Sequence, residues 1–327
     1  NLHLALALWT IHEIKPTNEL GKKAGALFER MDFSVYYDKS TGLIHGTLRK
    51  TGNNWTLDAY NLGNLGSEGR LLYSAGWALG LFHNIKNDSA FLKNAFSALK
   101  LEYVQTREGP QMKTWDGAEF QLFFPRIFAN ENNYSPVLNQ TYADKAKFVV
   151  AEGNRQKILG PASFSAIRVG THEDYFQGEG AIYRDKSGVI DLVSTDNQDI
   201  NDPHLRKLWQ ASLAPYAVVM AAVASPDLLI PELRKLDILK SGNDPLYKTG
   251  FGFMDALHVQ GVQTGEVVPV QLSLNQGMAA LSLLQMQSSD GMSASSRALL
   301  NNPSTHQRLQ LFYKLFDQKF STLALVP

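Results

Sequence analysis

The chain has 327 residues, with 31 Lys plus Arg against 31 Asp plus Glu, so its formal net charge is zero. A balanced chain offers no electrostatic handle on phosphate backbones, which argues against a nucleic-acid partner. It has no cysteine, which removes disulfides, thiolate zinc sites, iron–sulfur clusters and cysteine nucleophiles together. Hydrophobic residues at 44% and aromatics at 10% are enough for a large core, so disorder is not expected. No run reaches the roughly 18 apolar residues of a membrane span.

The chain opens in helical periodicity from Asn1 to Trp9, without a basic-then-apolar leader. This fits either an ordinary first helix or a chain whose front portion is missing. A turn at Lys15-Pro16-Thr17-Asn18 precedes a second helix, with Thr17 or Asn18 as its N-cap. Alternating apolar residues from Phe33 to Trp55, with turns at Ser40-Thr41-Gly42 and Thr51-Gly52-Asn53, predict a β-like excursion. Ser67 to Phe82 is apolar nearly all round, the pattern of a buried helix.

Further helices are predicted at 90–99, 116–128 and 142–156. The stretch 159–201 is Gly- and Asp-rich and lacks helical period. Later helices are predicted at 204–223, 226–239, 272–287, 292–300 and 304–316, with Pro226 in a first turn and Ser304 as a cap. About eleven helices with no linker-like run favour one all-α toroid of paired helices over two domains. In such an (α/α) barrel the loops at one end make the site.

Four segments outside the helical pattern could carry chemistry. Asn61 to Arg70 leads through glycines and Ser67 into the buried helix, placing Glu68 in its first turn, where the helix dipole favours a carboxylate. A Ser-Glu start is also a common cap, but Glu68 and Arg70 stand at the rim of an apolar core, where charges are paired or functional. Thr114 to Pro125 sets Trp115 beside Asp116, with Glu119 three residues on. An aromatic face next to carboxylates suits a sugar, although a Trp-flanked helix start reads the same way. Gly170 to Gly180 crowds Tyr175 and Glu179 into a Gly-rich loop. Thr249 to Ala256 places Asp255 at a turn, and Leu272 to Met278 opens a helix with Gln276.

The sequence has no Gly-x-Ser-x-Gly elbow, no His-Glu-x-x-His pair and no Walker loop, and its eight histidines are scattered singly. No metal and no organic cofactor are expected. Paired carboxylates, the requirement of glycoside hydrolysis, are the chemistry that remains.

In collinear order the chain carries Met31-Asp32-Phe33-Ser34-Val35-Tyr36-Tyr37-Asp38 with Gly42-Leu43, then Gly63 to Arg70, then Thr114-Trp115 to Pro125. Ala214-Pro215, Gly252-Phe253-Met254-Asp255-Ala256 and Asn275-Gln276-Gly277 follow. This series resembles the glycoamylase-like (α/α)-barrel proteins, which include the bacterial β-1,2-glucanases and the transglycosylation domain of cyclic β-1,2-glucan synthases. The resemblance implies an (α/α)6 toroid over residues 1–327 and a bacterial protein, periplasmic or secreted. It implies a glucan-directed hydrolase or transglycosylase, or a polysaccharide-binding relative that does not cut.

Glu68, Glu179 and Asp116 are then the candidate catalytic carboxylates. Trp115, Arg70, Glu119, Tyr175, Asp255 and Gln276 are candidate binding residues for an oligo- or polysaccharide. The chain departs from the family where Gln121 replaces a Glu, Asn275 replaces an Asp, and Ser163-Phe164-Ser165 stands in place of Ser-Glu-Ser.

Overall fold

The computed structural model describes residues 2–323 apart from 86–87, 116, 118, 157–164, 170–171, 177–181, 186–187, 193, 196–211, 242, 255, 259–266, 269–270 and 272. Helices α1 (Leu2–Ile14) and α2 (Glu19–Phe28) form the first antiparallel pair. Asn18 caps α2, its side chain accepting the Leu20 N–H at 2.8 Å, as the turn composition predicts. The predicted β-like excursion is two hairpins, Tyr37–Asp38 with Leu43–Ile44 and Leu48–Thr51 with Asn54–Leu57. Their turns use Gly42 and Gly52, both at positive φ.

The remaining helices are α3 (Asp88–Ala98), α4 (Glu119–Ala129), α5 (Pro136–Gln156), α6 (Pro215–Ala222) and α7 (Pro226–Leu236). After them come α8 (Ser273–Gln287), α9 (Ala294–Asn301) and α10 (Pro303–Ser321). All ten lie within or beside predicted segments, and several boundaries move. Residues 204–211 of the predicted 204–223 helix fall outside the described residues, and α6 starts at Pro215. Asn302, not Ser304, caps α10: its side chain accepts the Thr305 N–H, and Pro303 takes the first turn, where a missing N–H costs nothing. The hairpin Tyr103–Thr106 with Gly109–Met112 has no counterpart among the predicted elements. Within 159–201 the described backbone forms two hairpins, 165–169 with 172–176 and 182–185 with 188–191.

Helix α4, helix α6 and the stretch from Leu71 to Phe82 are buried almost all round, and α4 packs on α6. A fully apolar helix can sit only inside a second shell. That shell is supplied by amphipathic partners such as α7 against α6 and α10 against the Leu71–Phe82 stretch. One continuous cluster of buried residues runs from Ala5 to Phe316. Among the described residues no helix is long and apolar enough to cross a membrane.

The inner helices carry two irregularities. Residues Leu72–Gly76 are π-helical, a local widening that recurs near functional sites. In α4, Pro125 has no N–H to give Gln121, and its ring disfavours straight continuation. The carbonyl of the next residue, Leu122, accepts the Arg70 Nη2–H at 2.6 Å.

Candidate active site

The segment Asn61 to Arg70 is a wound loop tied down at both ends. The Leu65 N–H donates to Lys100 O, and the Lys100 N–H donates to Gly63 O. Gly66 lies so close to the neighbouring chain that a Cβ there would stand 1.9 Å from the Lys113 carbonyl oxygen. Only glycine permits this approach. Glu68 falls in the turn just before the first helical residue, Arg70, rather than inside the first turn, and its carbonyl accepts the Leu71 N–H at 3.0 Å.

The loop forms one wall of a cavity of about 480 Å³. Its polar lining is Tyr60, Asn61, Asn64, Ser67, Glu68, Lys100 and Trp115, and Leu43, Leu62 and Ala98 give it an apolar side. Glu68 is the only acidic residue among the described residues that line it. Its Oε2 is shielded from solvent and has no hydrogen-bond partner among the described residues. Burial pushes the Glu68 carboxyl above the usual range, opposed only in part by its own backbone N–H and by Arg70. Asn64 is also buried. Its Oδ1 accepts the Gly66 N–H at 2.6 Å, while its Nδ2 has no partner among the described residues. The cavity therefore presents an acid and an amide donor with unspent hydrogen-bonding capacity, the arrangement expected where a polar ligand completes a site.

Trp115 is tied directly to the Glu68 loop through its backbone. Its N–H is shared between Ser67 Oγ and Gln121 Oε1, both at 2.9 Å, and the Ser67 hydroxyl donates to Gln121 Oε1 at 3.1 Å. The Trp115 ring meets Tyr60 edge-on, with centroids 6.1 Å apart and planes at 78°. Just upstream, Thr114 pairs with Leu192 and Ser194: its N–H donates to Leu192 O and its carbonyl accepts the Ser194 N–H. Glu102 secures Ser194 and Thr195, accepting from the Ser194 hydroxyl and from the Thr195 N–H and hydroxyl.

Beneath the loop lies a charged core that local spacing does not predict. Arg70 is entirely buried and meets Glu131, also entirely buried, at 2.8 Å. Its Nη1 donates to the carbonyls of Gly66 at 3.1 Å and Ser67 at 3.3 Å. The hydroxyls of Tyr142 and Tyr313 each donate to Glu131 at 2.5 Å. Burial alone would lower the Arg70 pKa, but the Glu131 carboxylate more than offsets this and raises it.

These contacts correct three sequence expectations. Arg70 does not line the cavity: its guanidinium is consumed in the core, where it holds the Glu68 loop from behind. Glu119 is also fully buried. It pairs with Lys145 at 3.0 Å, and burial raises its pKa, so it joins α4 to α5 instead of facing a ligand. Gln276 donates to the Phe253 carbonyl at 3.4 Å, bracing the strand Gly252–Phe253 rather than the cavity wall.

Glu68 and Trp115 do share the cavity. Asp116, Glu179 and Asp255 lie outside the described residues, as does the side chain of Tyr175, whose backbone is in the strand His172–Phe176. Sequence reasoning missed Tyr60, Asn64 and Lys100 in the wall. It also missed Glu131, Tyr142 and Tyr313 in the core. No local signal marks these: Glu131 sits in the polar run Asn130 to Asn133, and Tyr142 among polar neighbours. Among the described residues no group of three His, Asp or Glu could hold a metal ion.

No protein-family model matches the sequence, and no curated protein matches it. Solved structures do match. The chain is similar to an endo-β-1,2-glucanase from Talaromyces funiculosus in complex with sophorose, with a TM-score of 0.67 and 11% identity over 98% of this chain and 62% of that one. A Glu-to-Gln mutant of that enzyme bound to β-1,2-glucan matches with a TM-score of 0.65, also at 11% identity and the same coverage. A glucoamylase candidate from Bacteroides uniformis matches with a TM-score of 0.58 and 12% identity, over 94% of this chain and 69% of that one. The fold is thus the glycoamylase-like (α/α)6 barrel of these glucanase and glucoamylase-type proteins. The chain spans 62% of the length of the glucanase it matches.

Proposed function

We propose that this chain is a glycoside hydrolase of glucanase type, acting on a glucan by carboxylate acid/base chemistry. The observation that carries the reading is Glu68: a carboxyl raised by burial, without a hydrogen-bond partner at Oε2 among the described residues, in a cavity walled by Trp115 and Tyr60. A carboxyl whose pKa is raised by burial holds its proton to higher pH than a free one, which suits the proton donor that a glycosidic oxygen needs to leave. Trp115 and Tyr60 offer ring faces and edges to the C–H surfaces of a sugar. Asn64 Nδ2 donates to a hydroxyl.

The second carboxylate belongs on the opposite face of the sugar. Asp116, next to Trp115 in sequence, and Glu179 are the candidates. A separation from Glu68 of about 5–5.5 Å would make the enzyme retaining, and about 6.5–9.5 Å inverting. The β-1,2 linkage is proposed from the glucanase complexes with sophorose and β-1,2-glucan. We further propose that residues 1–327 form one barrel domain of a bacterial protein that acts outside the cytoplasm.

A second reading rests on its own observation. Glu68 is the only acid among the described lining residues, and Gln121 stands where the motif carries Glu. A barrel with one acid would bind a glucan, and not cut it. Incubation with a panel of glucans, with reducing ends counted, separates the two. Release of sugars that Glu68→Gln abolishes supports the hydrolase. Binding of a glucan without release supports the second reading.

A further inference from the structure

A second cavity, of about 560 Å³, lies beside α3 and is unused by the site described above. The hairpin Tyr37–Asp38 with Leu43–Ile44 stands between the two. Directly opposed residues of an antiparallel pair share one face, so Tyr37 and Ile44 face one way and Asp38 and Leu43 the other. Leu43 lines the first cavity, and Tyr37, with Lys39, lines the second. Helix α3 runs past both: Ala98 lines the first cavity, and Asn94 and Ala90, one and two turns back, line the second. At 1.5 Å per residue these positions are about 6 and 12 Å from Ala98.

The divide between the cavities is firm. The turn at its tip is closed by Asp38, which accepts from the Ser40 N–H and from the hydroxyls of Ser40 and Thr41. Gly42 lies so close to α3 that a Cβ there would stand 2.7 Å from the Asn94 carbonyl oxygen.

The chemistry of the second cavity repeats that of the first. Tyr37 is half-buried, set edge-on against the buried ring of Phe91, and the Asn94 side chain hydrogen-bonds its hydroxyl. Asn84, Asn94 and Lys39 are exposed at the rim. An aromatic anchored from behind, two amides and an ammonium group, with no carboxylate in the described lining, can hold sugar hydroxyls and cannot hydrolyse a glycosidic bond.

We propose that this cavity is a second, non-catalytic binding site for the same glucan, occupied by a more distant stretch of a chain whose reacting part lies at Glu68. The proposal rests on the glucan reading above. Two sites this close on one helix can be bridged by one polymer, and the second contact then forms at high effective concentration, so affinity rises with chain length.

The test compares a long β-1,2-glucan with the disaccharide sophorose, by titration calorimetry on a Glu68→Gln background that prevents turnover. The variants are Asn84→Ala with Asn94→Ala, which changes exposed side chains only, and Tyr37→Ala. Unchanged thermal melting of the double variant shows that its fold is intact. The ratio of polymer affinity to sophorose affinity is expected to fall about tenfold or more in the double variant. An unchanged ratio overturns the second site and leaves the Glu68 site standing. Failure of the parent protein to bind any glucan overturns the glucan reading and this proposal with it.

Discussion

The guanidinium of Arg70 and the carboxylate of Glu131, 61 residues apart in sequence, meet at 2.8 Å with neither side chain exposed. The pair is fully provided for. Arg70 also donates to the backbone carbonyls of Gly66, Ser67 and Leu122, and Glu131 receives the hydroxyls of Tyr142 and Tyr313. A buried ion pair contributes little net stability over an apolar substitute, but breaking one side leaves the other charge stranded. Here the pair also fixes the two carbonyls immediately before Glu68, so it sets where the acid points.

Glu131→Gln is therefore expected to cost about 3–5 kcal/mol in denaturant unfolding, because Arg70 keeps its charge in a closed core. Tyr313→Phe removes one hydrogen bond to a charged group and is expected to cost about 1.5–3 kcal/mol. Equal, small losses in both variants would show the network to be dispensable.

For Glu68→Gln the expected loss in glucan hydrolysis is about 10²–10⁴-fold, the usual contribution of a general acid, with binding retained. Reducing-end assays and calorimetry on the same preparation check both halves. Undiminished turnover would remove Glu68 from the mechanism.

The raised Glu68 pKa carries two pH signatures. As general acid, Glu68 must be protonated, so kcat/KM is expected to fall as pH rises through its raised value. For stability, the folded state holds the Glu68 proton to higher pH than the unfolded chain. Stability therefore declines with rising pH from about 4.3, the ordinary Glu value, up to the folded one. Glu68→Gln lacks this decline, so its melting temperature relative to the parent is expected to rise across the same window. Parallel melting curves at all pH values would contradict the burial argument.

Gly66→Ala forces a methyl group against the Lys113 carbonyl. A backbone atom cannot swing aside as a side chain can, so the cost is expected near the top of the overpacking range, about 3 kcal/mol. The Asn61–Arg70 loop should shift with it, lowering activity more than Gly52→Ala would. Gly52 has positive φ, unlike Gly66, but no atom lies within 4 Å of an added Cβ.

Trp115→Ala is expected to weaken glucan binding by about tenfold or more, roughly 1.4 kcal/mol, through loss of the aromatic ring from the lining of the Glu68 cavity. Trp115→Phe, which keeps a ring on the same backbone hydrogen bonds, should recover part of it. Equal affinity in all three proteins would place the sugar elsewhere.

Local spacing along the chain is enough to establish the helical class, the order of the helices and two members of the cavity wall. Apolar residues placed all round a helix demand burial on every side, which is why Leu71 to Phe82 is legible as an inner element from its residue pattern. Turn chemistry likewise places Asn18 and Gly42. Glu68 and Trp115 stand out because each breaks its local pattern, a carboxylate at the mouth of an apolar helix and an aromatic in a polar loop.

Which charges are spent is decided only by packing. Arg70, Glu119 and Glu68 look alike in sequence, each a charge at the start of a buried helix. Arg70 finds Glu131 61 residues away, Glu119 finds Lys145 on α5, and Glu68 Oε2 finds no partner among the described residues. Pairing in three dimensions depends on which helices become neighbours around the ring, and no local spacing encodes that. The same holds for Tyr60, Asn64 and Lys100, ordinary polar residues until the closure of the loops brings them to one wall.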